Sequence, residues 1–157
     1  IDSIDPPSEL ELEKGGWNRI AIFLSVFDVH VNRYPINGSI KKIRYRPGKF
    51  FNASLDKSSN DNERNAIFIK SENDEDVVVV QIAGLVARRI VCNGFQNEQV
   101  SAGGQMGIIR FGSRVEIYIP DDFVIKVKPG QTMIGGETVI ANLNKNRTIN
   151  NDGEHTR

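Results

Sequence analysis

The chain has 157 residues, with 20 Lys and Arg against 20 Asp and Glu, so its formal net charge is zero. This length fits one compact domain, and the balanced charge gives no argument for a nucleic-acid partner. A single cysteine, Cys92, excludes an internal disulfide and is typical of a reducing compartment. No apolar run is long enough to cross a bilayer.

Strand signals dominate the chain, and turn residues (Gly, Pro, Asn) separate them. The segment 85–92 also fits one or two helical turns, and periodicity does not decide between the two. The pattern predicts a mainly β, antiparallel, barrel- or sandwich-like single domain over residues 1–143, with a polar flexible tail at 144–157. The predicted strands cover residues 17–27, 39–45, 65–71, 76–84, 85–92, 107–120, 123–128 and 137–143.

Two stretches of the C-terminal half are weakly similar to each other. "EQVSAGGQMGIIRF" and "IKVKPGQTMIGGETVIANL" each pair a glycine turn with an apolar strand. Both resemble the hairpin of lipoyl and biotinyl domains, which implies a hybrid-barrel C-terminal half and says nothing about chemistry.

The stretch "GIIRFGSRVEIYIP" places the pair Gly112–Ser113 inside a predicted strand. A glycine weakens a strand and marks a bulge or a close backbone approach. Ser113 is then a hydroxyl on an apolar face, either an interior serine bonded to a carbonyl or a reactive one. By alternation, the apolar residues on its face are Ile109, Phe111, Val115, Ile117 and Ile119.

Histidine is the second candidate for chemistry. His155 lies in the polar tail, whereas His30 in "SVFDVHVNRYP" shares a face with Asp28 and Asn32 if the chain stays extended. His30 is therefore either structural or a general base for Ser113, since no other near-neutral base lies outside the tail. One cysteine and two separated histidines predict no metal site.

The segment "YRPGKFFNASLDKSSNDNERNA", residues 45–66, is a long loop that carries cations among aromatic residues. Loops of this length are either functional or simply solvated.

Four motifs in order resemble the short form of the phosphatidylserine decarboxylase family over residues 20–143. They are "FLSVFDVHVNRYPINGSI", "YRPGKFFNASLDKSS" followed by "NERN", "QIAGLVARRIVC" and "GIIRFGSRVEIYIP", the last with the short-form "GSR" in place of the long-form "GST". The resemblance implies self-cleavage between Gly112 and Ser113 into a β chain (1–112) and an α chain (113–157) that stay together. It also implies that Ser113 becomes a covalent pyruvoyl cofactor.

The resemblance further implies decarboxylation of phosphatidylserine to phosphatidylethanolamine through a Schiff base to the pyruvoyl group. His30 matches the family's base and is a candidate proton donor. Candidate cations for the lipid phosphate are Arg33, Lys49, Arg88 and Arg89. The expected place is the cytoplasmic face of the cell membrane, with the membrane surface as a partner, a homodimer as an open option and no nucleic acid.

Two family features have no counterpart here: an aspartate in an upstream "PADG"-like segment and an N-terminal apolar segment. We therefore interpret the chain as a fragment or a processed form. Three alternatives stay open. The same chemistry can act on archaetidylserine, Lys57 in "LDKSS" can be the acylated lysine of a lipoyl-like carrier, and Ser113 can serve a hydrolase that lacks the usual G-x-S-x-G elbow.

Overall fold

The computed structural model describes residues 1–3, 6–13, 15–25, 28, 30–49, 61–85, 89–109 and 112–142. These residues form mainly strands, with a short 3₁₀ helix at Ser8–Leu10, which confirms the mainly β fold. The strands are β1 (Asp2–Ser3), β2 (Trp17–Leu24), β3 (Val31–Arg33), β4 (Gly38–Arg46), β5 (Arg64–Ser71), β6 (Asp76–Ile82), β7 (Ile90–Cys92), β8 (Gln99–Val100), β9 (Gln105–Ile109), β10 (Ser113–Pro120), β11 (Val124–Ile125) and β12 (Ala141–Asn142).

The strands pair antiparallel in three sheets. The central sheet has seven strands in the order β1-β2-β10-β6-β5-β4-β8, a second sheet has the order β3-β9-β7, and β11 pairs with β12. The middle strands β10 and β6 are buried on both faces, which explains the unbroken apolar run "VVVV" of β6.

Two apolar clusters lie on the two faces of the central sheet. The larger contains Ile117 of β10 and Val79 of β6 together with Ile109 of β9, so the three-stranded sheet packs over this face. The smaller, around Val80 and Tyr118, is covered by Leu10 of the N-terminal segment. Burial of these β-branched and aromatic side chains supplies most of the driving force for the fold.

The predicted strand 107–120 is wrong as a single element. It is two strands in two sheets, β9 and β10, which are separated at Gly112, whose φ is +66°. A left-handed residue cannot continue an extended strand, so the chain changes direction there. The alternation predicted from Ser113 to Ile119 holds on β10, Ile109 reaches the same cluster from the other sheet, and Phe111 lies outside the described residues.

Several strand bounds are shorter than predicted. Strand β2 ends at Leu24, and of the segment 85–92 only Ile90–Cys92 is a strand, residues 86–88 lying outside the described part. The first glycine-turn repeat is not a hairpin, because β8 pairs with β4 whereas β9 pairs with β3 and β7. The second does bring β11 and β12 together. A hybrid barrel stays a prediction, and the tail 144–157 lies outside the described residues.

Candidate functional site

Five strands of the central sheet have an end at one rim, which we call the Ser113 rim. Antiparallel pairing sets Ser113 opposite Leu24, and the next position joins β10, β6, β5 and β4 in one row. The strand ends at the rim are Leu24 of β2, Arg46 of β4, Arg64 of β5, Ile82 of β6 and Ser113 of β10.

At this rim the chain passes three times between the two larger sheets: from β2 to β3, from β6 to β7 and from β9 to β10. The amide of Ile109 donates to the carbonyl of His30 at 3.2 Å, and Ile109 pairs with Ile90 of β7. The ends of all three crossings are thus tied to β9 just before Gly112. The topology therefore brings His30, Arg89 and the Gly112–Ser113 pair to one end of both sheets.

The Ser113 side chain is fully buried, at 0% exposure. Its hydroxyl Oγ has no hydrogen-bond partner among the described residues. A buried hydroxyl without a partner costs about 1–3 kcal/mol, so such groups are rare and need an explanation.

Gly112 precedes this serine in a left-handed conformation, with φ +66°. A Cβ atom built on Gly112 meets no heavy atom of the described residues within 4 Å. Glycine is therefore favoured here by the backbone conformation and not by lack of space.

The expected shared face of Asp28, His30 and Asn32 is not formed. The chain turns at Asp28, whose amide donates to the carbonyl of Ser25 at 3.1 Å and whose carboxylate accepts from the Ser25 amide at 2.7 Å. The hydrogen bond from the Ser25 backbone lowers the pKa of Asp28. Aspartate readily closes turns in this way. The three side chains therefore differ in exposure: Asp28 is exposed, His30 is half-buried and Asn32 is buried.

Sequence reasoning missed a buried chain of three carboxamides beside the rim. Asn65 Nδ2 donates to Gln81 Oε1 at 3.2 Å, and Gln81 Nε2 donates to Asn32 Oδ1 at 2.9 Å. Gln81 pairs with Val115, the residue next to Ser113 on the same face of β10. The chain of amides joins the central sheet to β3, which begins directly after His30. The available signal was a glutamine inside the apolar run "VVVVQIAG".

The opposite face of β10 carries a buried charged cluster that sequence reasoning also missed. Glu116 is fully buried and its Oε1 lies 2.9 Å from Arg114 Nη2 and 3.6 Å from Arg19 Nη1. The Tyr118 hydroxyl donates to Glu116 Oε2 at 2.8 Å. Burial, with the nearby Glu116 charge as a second cause, raises the pKa of Tyr118. Buried charges are tolerated only when paired and hydrogen-bonded in this manner.

The four candidate phosphate cations separate by position. Arg89 is exposed next to Ile90, at the rim, and Arg88 lies outside the described residues. Lys49 also reaches the rim, because its carbonyl accepts from the Glu63 amide at 3.0 Å, and the Glu63 carbonyl accepts from the Ala83 amide at 2.9 Å.

Arg33 lies at the other end of its strand. It pairs with Gln105, the first residue of β9, and its guanidinium donates to the carbonyl of Gly103 at 2.8 Å. Ile109 is four residues after Gln105 on β9, which is about 13 Å at the rise of an extended strand. The structure thus brings Arg89 and Lys49, but not Arg33, to the rim.

Within the part of the chain that the structure describes, no group of three or more His, Cys, Asp or Glu residues is arranged to hold a metal ion. Of the helical segments in that same part, none has the length and apolar character needed to span a bilayer. Lys57 lies outside the described residues, so the structure does not test its role as the acylated lysine of a lipoyl-like carrier.

Comparison with known proteins gives a family match over most of the chain. The model of the family described as phosphatidylserine decarboxylase matches residues 5–141. Curated proteins named phosphatidylserine decarboxylase proenzyme are similar to it. The one from Granulibacter bethesdensis is 59% identical over 88% of this chain and 57% of its own length. The one from Saccharopolyspora erythraea is 53% identical over 91% and 61%. The one from Wolbachia sp. subsp. Brugia malayi is 54% identical over 87% and 59%.

The chain therefore spans less than two thirds of the length of these relatives. No solved structure matches it.

Proposed function

Because the chain belongs to the phosphatidylserine decarboxylase family, we propose that it forms the catalytic core of an enzyme that converts phosphatidylserine to phosphatidylethanolamine and CO2. One observation carries the proposal at the level of residues. The buried hydroxyl of Ser113 has no described partner and follows a left-handed Gly112 where the chain passes from one sheet to the other. The word proenzyme in the relatives' names supports processing of the chain.

The first proposed step is self-cleavage at this serine. Ser113 Oγ attacks the carbonyl carbon of Gly112, and the bond from that carbon to the Ser113 nitrogen breaks. The hydroxyl proton passes to a base, and the departing nitrogen takes up a proton to become a free amine, so an ester replaces the peptide bond. We assign the base to His30, because its backbone is fixed to Ile109 at the same rim.

The ester then eliminates. The Cα proton of Ser113 is removed, the bond from Cβ to Oγ breaks, and Gly112 leaves as a carboxylate. Residue 113 is left as dehydroalanine, which takes up one water and releases one ammonia to become pyruvoyl. The site fits this group, since the product no longer carries the hydroxyl that is buried without a described partner.

The two products stay together in this proposal because β10 is held between strands of the β chain. The ladder to β2 has eight residue pairs and the ladder to β6 has five. When formed, the pyruvoyl group supplies a ketone that bonds to the substrate amine and accepts the electrons left by CO2. We also assign to His30 the return of a proton to the product.

We assign the lipid phosphate to the exposed cations of the rim, Arg89 and Lys49. A charged group of this type recognises a phosphate at a lipid headgroup. Because the substrate is a membrane lipid, the Ser113 rim is proposed to face the membrane surface, on the cytoplasmic side.

The experiment uses the full-length gene product that contains these residues, with vesicles of phosphatidylserine labelled in the serine carboxyl group. We expect release of labelled CO2, which Ser113→Ala abolishes and the exposed control Ser101→Ala retains. Arg89→Ala should raise KM, whereas Lys70→Ala, at the far end of β5, should not. Absence of labelled CO2 from the unmodified protein contradicts the proposed function, and turnover of archaetidylserine alone would redirect it to that lipid.

A further inference from the structure

The residue after the cleavage site has a structural role that the proposed chemistry does not use. We propose that Arg114, held by Glu116, is a positioning residue that clamps the new N-terminus of the α chain into the central sheet after cleavage. The clamp keeps the group made from Ser113 at the rim. This inference rests on the proposed self-cleavage and adds a residue to it.

The register of the central sheet shows why the end of the α chain needs an anchor. Ser113 pairs with Leu24 of β2, but the ladder between β10 and β6 begins only at Arg114. Residue 113 therefore has a strand on one side only, and Arg114 is the first residue with strands on both sides. Chain ends fray unless they are tied down.

The chemistry of the new N-terminus of the α chain makes an anchor more necessary. A serine at a chain end has an ammonium group that can form an ion pair, whereas a pyruvoyl end has no nitrogen and no charge. The first charged group of the α chain is then the Arg114 guanidinium. It is 7% exposed and lies 2.9 Å from Glu116, two residues further along the same face of β10.

The partner of Arg114 is itself fixed from both chains. Glu116 is 0% exposed, accepts from the Tyr118 hydroxyl at 2.8 Å and lies 3.6 Å from Arg19. Arg19 belongs to β2, and its guanidinium also bonds the Asp2 carboxylate, at 3.0 and 2.6 Å. The clamp therefore joins the α chain to the β chain through side chains after the covalent link at residue 112 is cut.

Stability alone does not account for such a cluster. A buried ion pair is often no more stabilising than well-packed apolar residues of similar volume, because both charges lose their water. What the pair does fix is the direction of the Arg114 side chain and hence the position of the backbone beside it. An error of about 1 Å at a reacting group can cost about 100-fold in rate.

The test uses Arg114→Met and Glu116→Gln in the full-length gene product, with Lys42→Met as the control. Lys42 forms an exposed ion pair with Glu11, 2.9 Å apart, away from β10. We expect complete cleavage by intact mass in all variants. In Arg114→Met and Glu116→Gln kcat should fall about 10- to 100-fold, with little change in KM, and the control should be unchanged. Arg114→Lys should recover part of the loss, since it keeps the charge but not the planar fork.

Hydrogen exchange separates the clamp from a merely structural role. Exchange of the peptide that covers residues 113–118 is measured in the cleaved protein and in an uncut Ser113→Ala background. The clamp predicts faster exchange in Arg114→Met and Glu116→Gln only after cleavage. Equal acceleration in the uncut form, failure of these variants to cleave, or unchanged kcat each overturns it.

If Arg114→Met does not fold, the isosteric Glu116→Gln variant decides the question alone. An uncut parent protein refutes the proposed function itself, whereas a cleaved parent with unaffected variants refutes only the clamp.

Discussion

Replacing Ser113 with alanine is expected to stabilise the uncut chain while abolishing its cleavage. The hydroxyl is 0% exposed and has no described hydrogen-bond partner, so its burial costs about 1–3 kcal/mol. Alanine removes that cost and leaves a void the size of one oxygen atom, which takes back part of the gain. We expect a net gain of about 1 kcal/mol, or a rise in Tm of about 2–4 °C for a domain of this size.

A second buried serine provides the matched control. Ser71 is 7% exposed, and its hydroxyl accepts from the amides of Asn73 at 3.2 Å and Glu75 at 3.0 Å. Ser71→Ala removes both bonds at a turn, so it should cost about 1–2 kcal/mol. The same substitution at two buried serines is thus predicted to have opposite signs.

Urea unfolding, monitored by the fluorescence of Trp17, measures the free energy of unfolding, and calorimetry measures Tm. The reference protein and both serine variants carry His30→Asn, which removes the proposed base, and intact mass verifies that each protein compared is uncut. If Ser113→Ala lowers stability as much as Ser71→Ala does, the Ser113 hydroxyl has a bonded partner and the argument from its burial fails.

Three further predictions concern the stability of the fold. Gly107→Ala should weaken the fold strongly, because its Cβ would clash with the Val91 carbonyl oxygen. Gly112→Ala should cost only the left-handed strain of about 1–2 kcal/mol. Urea unfolding of both variants in the uncut His30→Asn background compares the two costs. Gln81→Leu leaves two buried amides without their shared partner and should cost about 2–4 kcal/mol by the same measurement. Burial raises the pKa of Tyr34 to about 12, from 10.0, so stability should fall as pH rises between these values, and Tyr34→Phe should flatten that fall.

The central strands could be predicted from sequence because their signal is strong. The valine run of β6 and the alternating Ile67 and Ile69 of β5 indicate buried strands, and the alternation on β10 gave its core face. The two-residue strands β1 and β8 carry no periodicity, since pairing with a neighbour alone defines them. The Gly112–Ser113 pair signalled an interruption, but that the two halves enter different sheets depends on pairing across the whole chain.

The candidate site, too, could be predicted from the sequence only in part. Residue type, position along the predicted strands and the family resemblance made His30 and Ser113 candidates. Charge type gave four cations for the implied lipid phosphate, without an order among them. Only the register separates Arg89, at the rim, from Arg33, at the far end of its strand. The buried Glu116 was missed because a charge in a strand is normally a solvated one, and its partners come from the position two residues away and from another strand.

The most direct test of the central claim is the intact mass, under denaturing conditions, of the full-length gene product that contains these residues. Self-cleavage at this bond should give two chains, the first ending at Gly112. The second should be lighter by one ammonia than a chain that starts with Ser113, and the two masses should sum to the precursor plus one water minus one ammonia. A single uncut chain, or a second chain that begins with an intact serine, would contradict it.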